Sequence, residues 1–108
     1  MQADRFTQKS LEAVNSLQKT AMDFGNQEIE QEHLLYVLLN QENSLILQMI
    51  EKMGIDANLF RNEVEAAINK RVKVQGGQPY VGQYLNYTLN YAENEAKKMG
   101  DEYVSVEH

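Results

Sequence analysis

Apolar residues recur at helical spacing after Thr7. Thr7 is a suitable helix N-cap, and Gly25 is a natural helix terminator. Between them, steps of three and four residues separate one apolar stripe, which predicts an amphipathic helix. The stripe consists of Leu11, Val14, Leu17, Ala21 and Phe24.

Three further helices are predicted in the first 71 residues. The run 34–39 is apolar nearly all round and predicts the most buried helix. Ser44 is expected to cap a helix that ends at Gly54, and Asp56 is expected to cap the next one. Residues 72–80 contain two glycines and the only proline, and we interpret them as a linker.

A long helix is predicted from about Val81 to Met99, closed by Gly100. It begins a second copy of the start of the chain. With a shift of 75 positions, Phe6–His33 overlays Val81–His108 without a gap, and six of the 28 pairs are identical. The agreement is strongest at the turn, where Gly25 falls on Gly100.

These elements predict an all-α fold, a tandem pseudo-repeat helical bundle whose helix pairs bury their faces on each other. We divide the chain into a first repeat of four helices (1–71), the linker (72–80) and the first part of a second repeat (81–108). The second copy stops where its second helix should begin, so we expect an incomplete repeat.

Composition excludes several functional classes. The net charge of -6 disfavours binding to nucleic acid or acidic membranes, and the one dense basic segment, 69–73, is too small to reverse that. Without cysteine there is no disulfide framework or thiolate zinc site. We find no signal peptide and no apolar run that would span a membrane, and we expect a cytoplasmic protein.

No catalytic residue or metal ligand is predicted. The sequence lacks the Gly-x-x-x-x-Gly-Lys-Ser/Thr motif of a phosphate-binding loop, so we expect no cofactor in this chain. Glu32-His33 and Glu107-His108 are adjacent pairs. Neighbouring helical side chains point about 100° apart, so neither pair converges on an ion. We expect His33 to be a hydrogen-bonded core histidine.

Tyrosines share one sector of the long helix. The spacing of Tyr80, Tyr84, Tyr87 and Tyr91 is four, three and four residues, so at about 100° per residue they project together. Leu85 and Leu89 lie in another sector, which matches the core stripe of the first copy. Two interpretations of the tyrosines stay open. They pack beneath the linker or helices of the second repeat, or they form a surface for polypeptide binding or self-association.

Several stretches carry a family resemblance that covers the chain: 4–7, 21–29, 32–35, 54–56 and 100–105. They resemble the Clp N-terminal repeat domain of the AAA+ unfoldases. Residues 4–9 and 39–42 are most similar to its ClpB branch, and the ClpC and ClpA branches, which share the repeat, stay possible. One departure is Glu30, where the family often has a small helix-capping residue.

The resemblance implies two four-helix repeats related by a pseudo-twofold. It also implies a mobile domain at the mouth of a homohexameric, ATP-driven ring that engages unfolded or aggregated polypeptides. ATP and Mg would belong to other modules of the longer protein. The alternative, from the ClpC and ClpA branches, is a domain that docks adaptor proteins.

The resemblance also assigns candidate binding residues. An apolar substrate groove would follow the last helix, where Leu89 and Tyr91 match groove positions, and Tyr84 belongs to the tyrosine sector beside them. A polar cluster linked to substrate handling would comprise Thr7, Asp101 and Glu107. Taken alone, these three residues are equally explained as a helix cap, a turn residue and a first-turn acid.

The incomplete repeat suggests self-association. If the apolar side of the last helix lacks its partners, Leu85 and Leu89 would drive dimerisation, since burying one leucine contributes about 1.5–3 kcal/mol. We therefore predict a dimer, with partial disorder of residues 72–108 as the alternative.

Overall fold

Helices form most of the chain, and the all-α prediction is confirmed. The computed structural model describes residues 3–108. Besides the helices, that part of the chain contains a 3-10 turn and two strands of two residues each, which the sequence did not predict. In order, the elements are a 3-10 turn at Ala3–Arg5, α1 Gln8–Asn15, α2 Leu17–Asp23, β1 Glu28–Ile29, α3 Gln31–Leu39, α4 Leu45–Lys52, α5 Ala57–Asn69, β2 Tyr80–Val81 and α6 Gln83–Lys98.

The predicted helix boundaries follow from capping chemistry. Side-chain oxygens of Thr7, Ser44 and Asp56 accept hydrogen bonds from first-turn N–H groups of α1, α4 and α5. Gly25 and Gly100 have φ of 76° and 74°, in the left-handed region that favours glycine at a helix end. These predicted starts and stops are confirmed.

The first predicted helix is divided in two at Ser16. Its N–H approaches the carbonyls of both Glu12 and Ala13, and its hydroxyl donates to Ala13 O at 3.0 Å. This tightened turn separates α1 from α2. The equivalent position in the second copy is Tyr91, where α6 continues unbroken. The first repeat therefore contains five α-helices, where the sequence predicted four.

The two copies exchange strand pairings. β1 pairs in parallel with β2, with Ile29 opposite Val81. Phe6 and Val104 form a second parallel bridge. Under the shift of 75 positions Phe6 corresponds to Val81 and Ile29 to Val104, so the two pairings are equivalent. In each of them, the residue that follows the turn of one copy pairs with the residue that precedes the first helix of the other copy. The end of the predicted linker is thus extended backbone, and α6 begins two residues later than expected.

A core shared by both copies buries the apolar side of α6. Leu85 is completely buried and Leu89 is 6% exposed. The proposed cause of dimerisation is therefore wrong, because both leucines are already covered within the chain. The remaining buried members of this core are Phe6, Leu17, Ala21, Ile29, Ala96 and Val104.

A second core lies within the first repeat, where α3 packs against α4 and α5. α3 also contacts α1, α2 and α6, which makes it the central helix. Within α3 only His33 and Leu39 are fully buried, whereas residues 34–38 between them are half-buried. The apolar run therefore correctly indicated a central helix but overstated its burial.

Candidate functional site

His33 organises the turn of the first copy. The Glu30 N–H donates to His33 Nδ1 at 2.9 Å, and Nε2 lies 2.9 Å from Asn26 Oδ1. An accepting Nδ1 places the proton on Nε2, which then donates to the amide oxygen. Burial and then the nearby Arg71 charge lower the pKa of His33. This confirms the predicted hydrogen-bonded core histidine.

The second copy repeats this arrangement at equivalent positions. The Ser105 N–H donates to His108 Nδ1 at 2.9 Å, and His108 Nε2 lies 2.7 Å from Asp101 Oδ2. Ser105, His108 and Asp101 correspond to Glu30, His33 and Asn26 under the 75-position shift. The difference between the copies is that a carboxylate replaces the amide. Asp101 is therefore committed to positioning a histidine.

Glu30 connects the copies across the pseudo-twofold. Its carboxylate, in a residue that is 3% exposed, accepts a hydrogen bond from the Leu85 N–H at 2.7 Å. This side chain thereby caps the N-terminus of α6, because the N-cap residue Gly82 has no side chain of its own. A Cβ at Gly82 would lie 2.5 Å from the Glu30 carboxylate carbon. The departure from the family pattern at Glu30 thus accompanies a glycine at the helix start.

The tyrosines of α6 form an exposed surface, which we call the tyrosine face. Tyr84, Tyr87 and Tyr91 are 64%, 69% and 51% exposed. The rings of Tyr87 and Tyr91 stack with centroids 6.3 Å apart. Beside them lies an open cavity of about 420 Å³, lined by Gln83, Tyr84, Asn86, Tyr87 and Asn90. In this structure the tyrosines therefore do not pack beneath the linker.

Leu89 lies on the opposite side of α6 from this surface. Its side chain is almost fully buried in the shared core, so it is not accessible to a partner. The groove position expected for Leu89 is therefore corrected to a core position. Its physical role is to fix α6 against the first copy and so present Tyr84 and Tyr91 outward.

Thr7 and Glu107 come together at a second cavity of about 390 Å³. The Thr7 side chain caps α1 and lies 3.0 Å from the Ser10 hydroxyl. Hydrogen bonding by the Ser105 side chain lowers the pKa of Glu107, which favours its charged form. Asp101 does not line this cavity; its carboxylate pairs with the side chain of His108, the residue that follows Glu107.

Two of the three basic side chains in the segment 69–73 make internal contacts. Arg71 donates to Glu32 at 2.8 Å and to Glu28 at 2.7 Å. Lys73 donates to the Phe24 carbonyl at 2.7 Å. Arg71, Glu28 and Glu32 line a third cavity of about 610 Å³. The Lys73 contact fastens the start of the linker to the first repeat. The sequence did not identify Arg71 as a bridge, because its partners are about 40 residues away.

No group of three or more His, Cys, Asp or Glu side chains among residues 3–108 is arranged to hold a metal ion. No helix described there is long and apolar enough to cross a membrane.

The family assignment rests on the sequence as a whole. Residues 5–108 match the model of the Clp repeat (R) N-terminal domain. The chain belongs to this family. All of the chain aligns with the chaperone protein ClpB of Nitratidesulfovibrio vulgaris at 38% identity, and with ClpB of Porphyromonas gingivalis at 36%. It spans 13% and 12% of the lengths of these relatives, so the resemblance to a ClpB-type N-terminal domain is confirmed for that portion.

Solved structures agree on the fold. The N-terminal domain of the ClpV1 ATPase from the E. coli EAEC Sci1 T6SS superposes with a TM-score of 0.85 at 20% identity, covering 94% of this chain and 63% of that one. A second solved structure comes from preliminary structural investigations of a malarial protein secretion system. It superposes with a TM-score of 0.79 at 18% identity and covers 96% of this chain and 72% of that one. The helical arrangement of this Clp repeat domain is therefore shared beyond its ClpB relatives.

Proposed function

We propose that this Clp repeat domain binds unfolded polypeptide through the tyrosine face of α6. The observation that carries the proposal is the division of one helix into two sides. Leu85 and Leu89 face the core, whereas Tyr84, Tyr87 and Tyr91 face solvent beside an open cavity. A stripe of exposed tyrosines offers large contact area together with polar tips, which suits partners of varied sequence.

The ClpB relatives, which are named chaperones, support a wider role that we include in the proposal. The domain would deliver unfolded or aggregated chains to an ATP-driven, homohexameric ring, with ATP and Mg held by other modules. Contact with any one peptide would be weak, because generic aromatic contact carries little sequence discrimination. Several copies on one ring would raise the overall affinity by avidity.

A titration tests this proposal. A fluorescently labelled, permanently unfolded polypeptide is added to the chain and to the Tyr84→Ala/Tyr91→Ala variant. We expect weak saturable binding that the variant loses, since each large-to-small change removes exposed contact area without disturbing the core. Tyr103→Ala is the matched control, because this tyrosine is 49% exposed but lies outside α6.

Two results would contradict the proposal. Equal binding by the wild-type chain and the double variant would remove the tyrosine face as the site. Absence of binding by the wild-type chain would remove unfolded polypeptide as the ligand. Far-ultraviolet circular dichroism of each variant verifies that helicity is unchanged.

Docking of a folded adaptor is the alternative function. It is favoured by the cavity that brings Thr7 and Glu107 together, since polar groups held in a fixed arrangement suit a structured partner. Tight one-to-one binding of a folded protein, abolished by Glu107→Gln and unaffected by Tyr84→Ala/Tyr91→Ala, would support it.

A further inference from the structure

We propose that a buried relay of hydrogen bonds couples the linker to the start of α6, so that detachment of the linker loosens the helix end. The relay consists of Asn26, His33 and Glu30. Its two ends are bound to Val72, where the linker begins, and to Leu85 in the first turn of α6. The linker would then control how firmly α6 is held on the first repeat, whatever the tyrosine face binds.

Four hydrogen bonds form the relay, and all of them run in the same direction. The Leu85 N–H donates to the Glu30 carboxylate at 2.7 Å, and the Glu30 N–H donates to His33 Nδ1 at 2.9 Å. His33 Nε2 donates to Asn26 Oδ1 at 2.9 Å, and the Asn26 amide donates to the Val72 carbonyl at 3.0 Å. Because each member accepts one bond and donates the next, a change at one end alters the neighbouring bond.

Burial leaves the members of the relay without substitute partners. His33 is completely buried, and Asn26 and Glu30 are each 3% exposed. A donor or acceptor that loses its partner there stays unpaired, because solvent does not reach it. The carbonyl of Val72 can only accept, so it also fixes the orientation of the Asn26 amide. The side chains must therefore rearrange together when the linker leaves.

The second copy indicates that the amide of Asn26 serves the linker. Asp101 stands at the equivalent position and pairs with its own histidine, His108, at 2.7 Å. A carboxylate has no N–H to donate onward. Residues 99–103 of that turn are exposed, whereas residues 24–28 beside the linker are buried or half-buried. The histidine bond thus requires only an acceptor, and the donor of Asn26 is an additional requirement of the copy that holds the linker.

The middle of the linker is poorly suited to connect its two ends. Residues 75–78 are exposed, and Gly76 and Gly77 have φ of 72° and 89°, which favour glycine. Glycine-rich segments are flexible and transmit little along the backbone. Coupling between the start of the linker and the start of α6 therefore depends on the turn that both ends contact, and within that turn on the relay.

Amide hydrogen exchange of the whole chain, followed by NMR, tests this coupling. Leu85 reports on the start of α6, and Val74 reports on the linker, where its N–H donates to the Gly25 carbonyl. Val64 of α5 reports on global unfolding, because it is buried in the second core. Local opening accelerates exchange at one end of the structure, whereas global destabilisation accelerates it at all three amides.

Asn26→Asp breaks the relay at its linker end. The variant keeps an acceptor for His33 and removes the donor to the linker, and Asp101 shows that such a turn accommodates an aspartate. We expect exchange at Leu85 to accelerate about fivefold, the effect of losing one neutral hydrogen bond, with exchange at Val64 unchanged.

Two further variants test the coupling from the other end and outside the relay. Coupling is reciprocal, so Glu30→Ala should accelerate exchange at Val74 by a similar factor. Lys73→Met is the matched control, because Lys73 holds the same part of the linker through the Phe24 carbonyl and not through the relay. It should accelerate exchange at Val74 and leave Leu85 unchanged.

Three results would overturn the relay. The first is unchanged exchange at Leu85 in Asn26→Asp. The second is equal acceleration at Leu85 and Val64, since the loss would then be one of global stability. The third is an acceleration at Leu85 in Lys73→Met as large as that in Asn26→Asp. If Asn26→Asp failed to fold, Glu30→Ala would decide, and unchanged exchange at Val74 would contradict the coupling.

Discussion

The carboxylate of Glu30 lies 2.7 Å from the backbone nitrogen of Leu85, 55 residues later in the chain. It supplies to α6 the cap that Thr7 supplies to α1 from within the same copy. In the second copy, the residue equivalent to Thr7 is Gly82, and a side chain there would collide with Glu30. Glu30 and Gly82 therefore depend on each other, because the missing side chain at Gly82 leaves room for the Glu30 carboxylate. Together they join α6 to the first repeat.

Replacing Glu30 should destabilise the domain. We expect Glu30→Ala to lower the free energy of unfolding by about 1–2 kcal/mol, because the first turn of α6 loses its capping acceptor. Urea unfolding followed by circular dichroism measures the change. In that background, Gly82→Ser should recover part of the loss, as its hydroxyl can cap α6 directly.

Gly82→Ala in the wild-type chain should cost about 1–3 kcal/mol, because the new Cβ displaces the Glu30 carboxylate. The same substitution in the Glu30→Ala background should cost much less. A double-mutant cycle measures this coupling. Additive effects would show that the two residues do not interact.

Leu85→Ala should act on folding and not on association. Leu85 is completely buried in the shared core, so we expect a loss of about 2–5 kcal/mol in the free energy of unfolding. Leu45→Ala is a matched control, since Leu45 is 43% exposed and should cost far less. Sedimentation at two protein concentrations tests whether the chain forms the dimer that was expected from Leu85 and Leu89. A Leu85-dependent dimer would contradict the packing described.

Stability should fall as the pH decreases below about 6.5. Burial lowers the pKa of His33, so the unfolded chain binds a proton at a higher pH than the folded chain does. The loss begins near the unfolded pKa of about 6.5 and continues down to the folded pKa. Urea midpoints between about pH 7.5 and 5.5 measure it, above the range in which most carboxylates titrate.

Two variants isolate this effect. His33→Gln should flatten the pH dependence in that window, whatever its effect on the stability at neutral pH. His108→Gln, at the equivalent position of the second copy, should preserve the part of the slope that arises from His33. An unchanged slope in His33→Gln would assign the pH dependence to another group.

Asp101→Ala should weaken polypeptide binding and leave helicity intact. Asp101 accepts a hydrogen bond from His108, so its removal frees the imidazole beside Glu107 and disturbs the polar cluster. The same fluorescence titration checks this. Asp23→Ala is the matched control, because Asp23 is an exposed carboxylate that pairs only with Lys19. Unchanged affinity in Asp101→Ala would leave Asp101 with a purely structural role.

Local chemistry explains why much of the fold was predictable. Helix caps at Thr7, Ser44 and Asp56 depend on residues within a few positions, and such signals are visible in a linear sequence. The sequence missed the break at Ser16, because the apolar stripe keeps its helical spacing across this short tightened turn. It also missed β1 and β2, which are too short for a periodic pattern.

The candidate site was predictable only in part. Helical periodicity separated the tyrosine sector from the leucine sector, and the structure places Tyr84 and Tyr91 on the surface. Leu89 was assigned to a groove by resemblance, whereas its own periodicity assigned it to the core, where it lies. Exposure depends on what packs against a helix, and no local pattern supplies that information.

The sequence by itself determined the helical segments except for the break at Ser16, and it determined the 75-position repeat and the family, because each depends on residue identity and spacing along the chain. Only the tertiary structure decided how the copies meet. It placed the Glu30 carboxylate at the N-terminus of α6 and the Arg71 guanidinium between two carboxylates. It also placed the apolar side of α6 in a core shared with the first repeat. These contacts join residues dozens of positions apart, and their partners are chosen by the packing of whole helices.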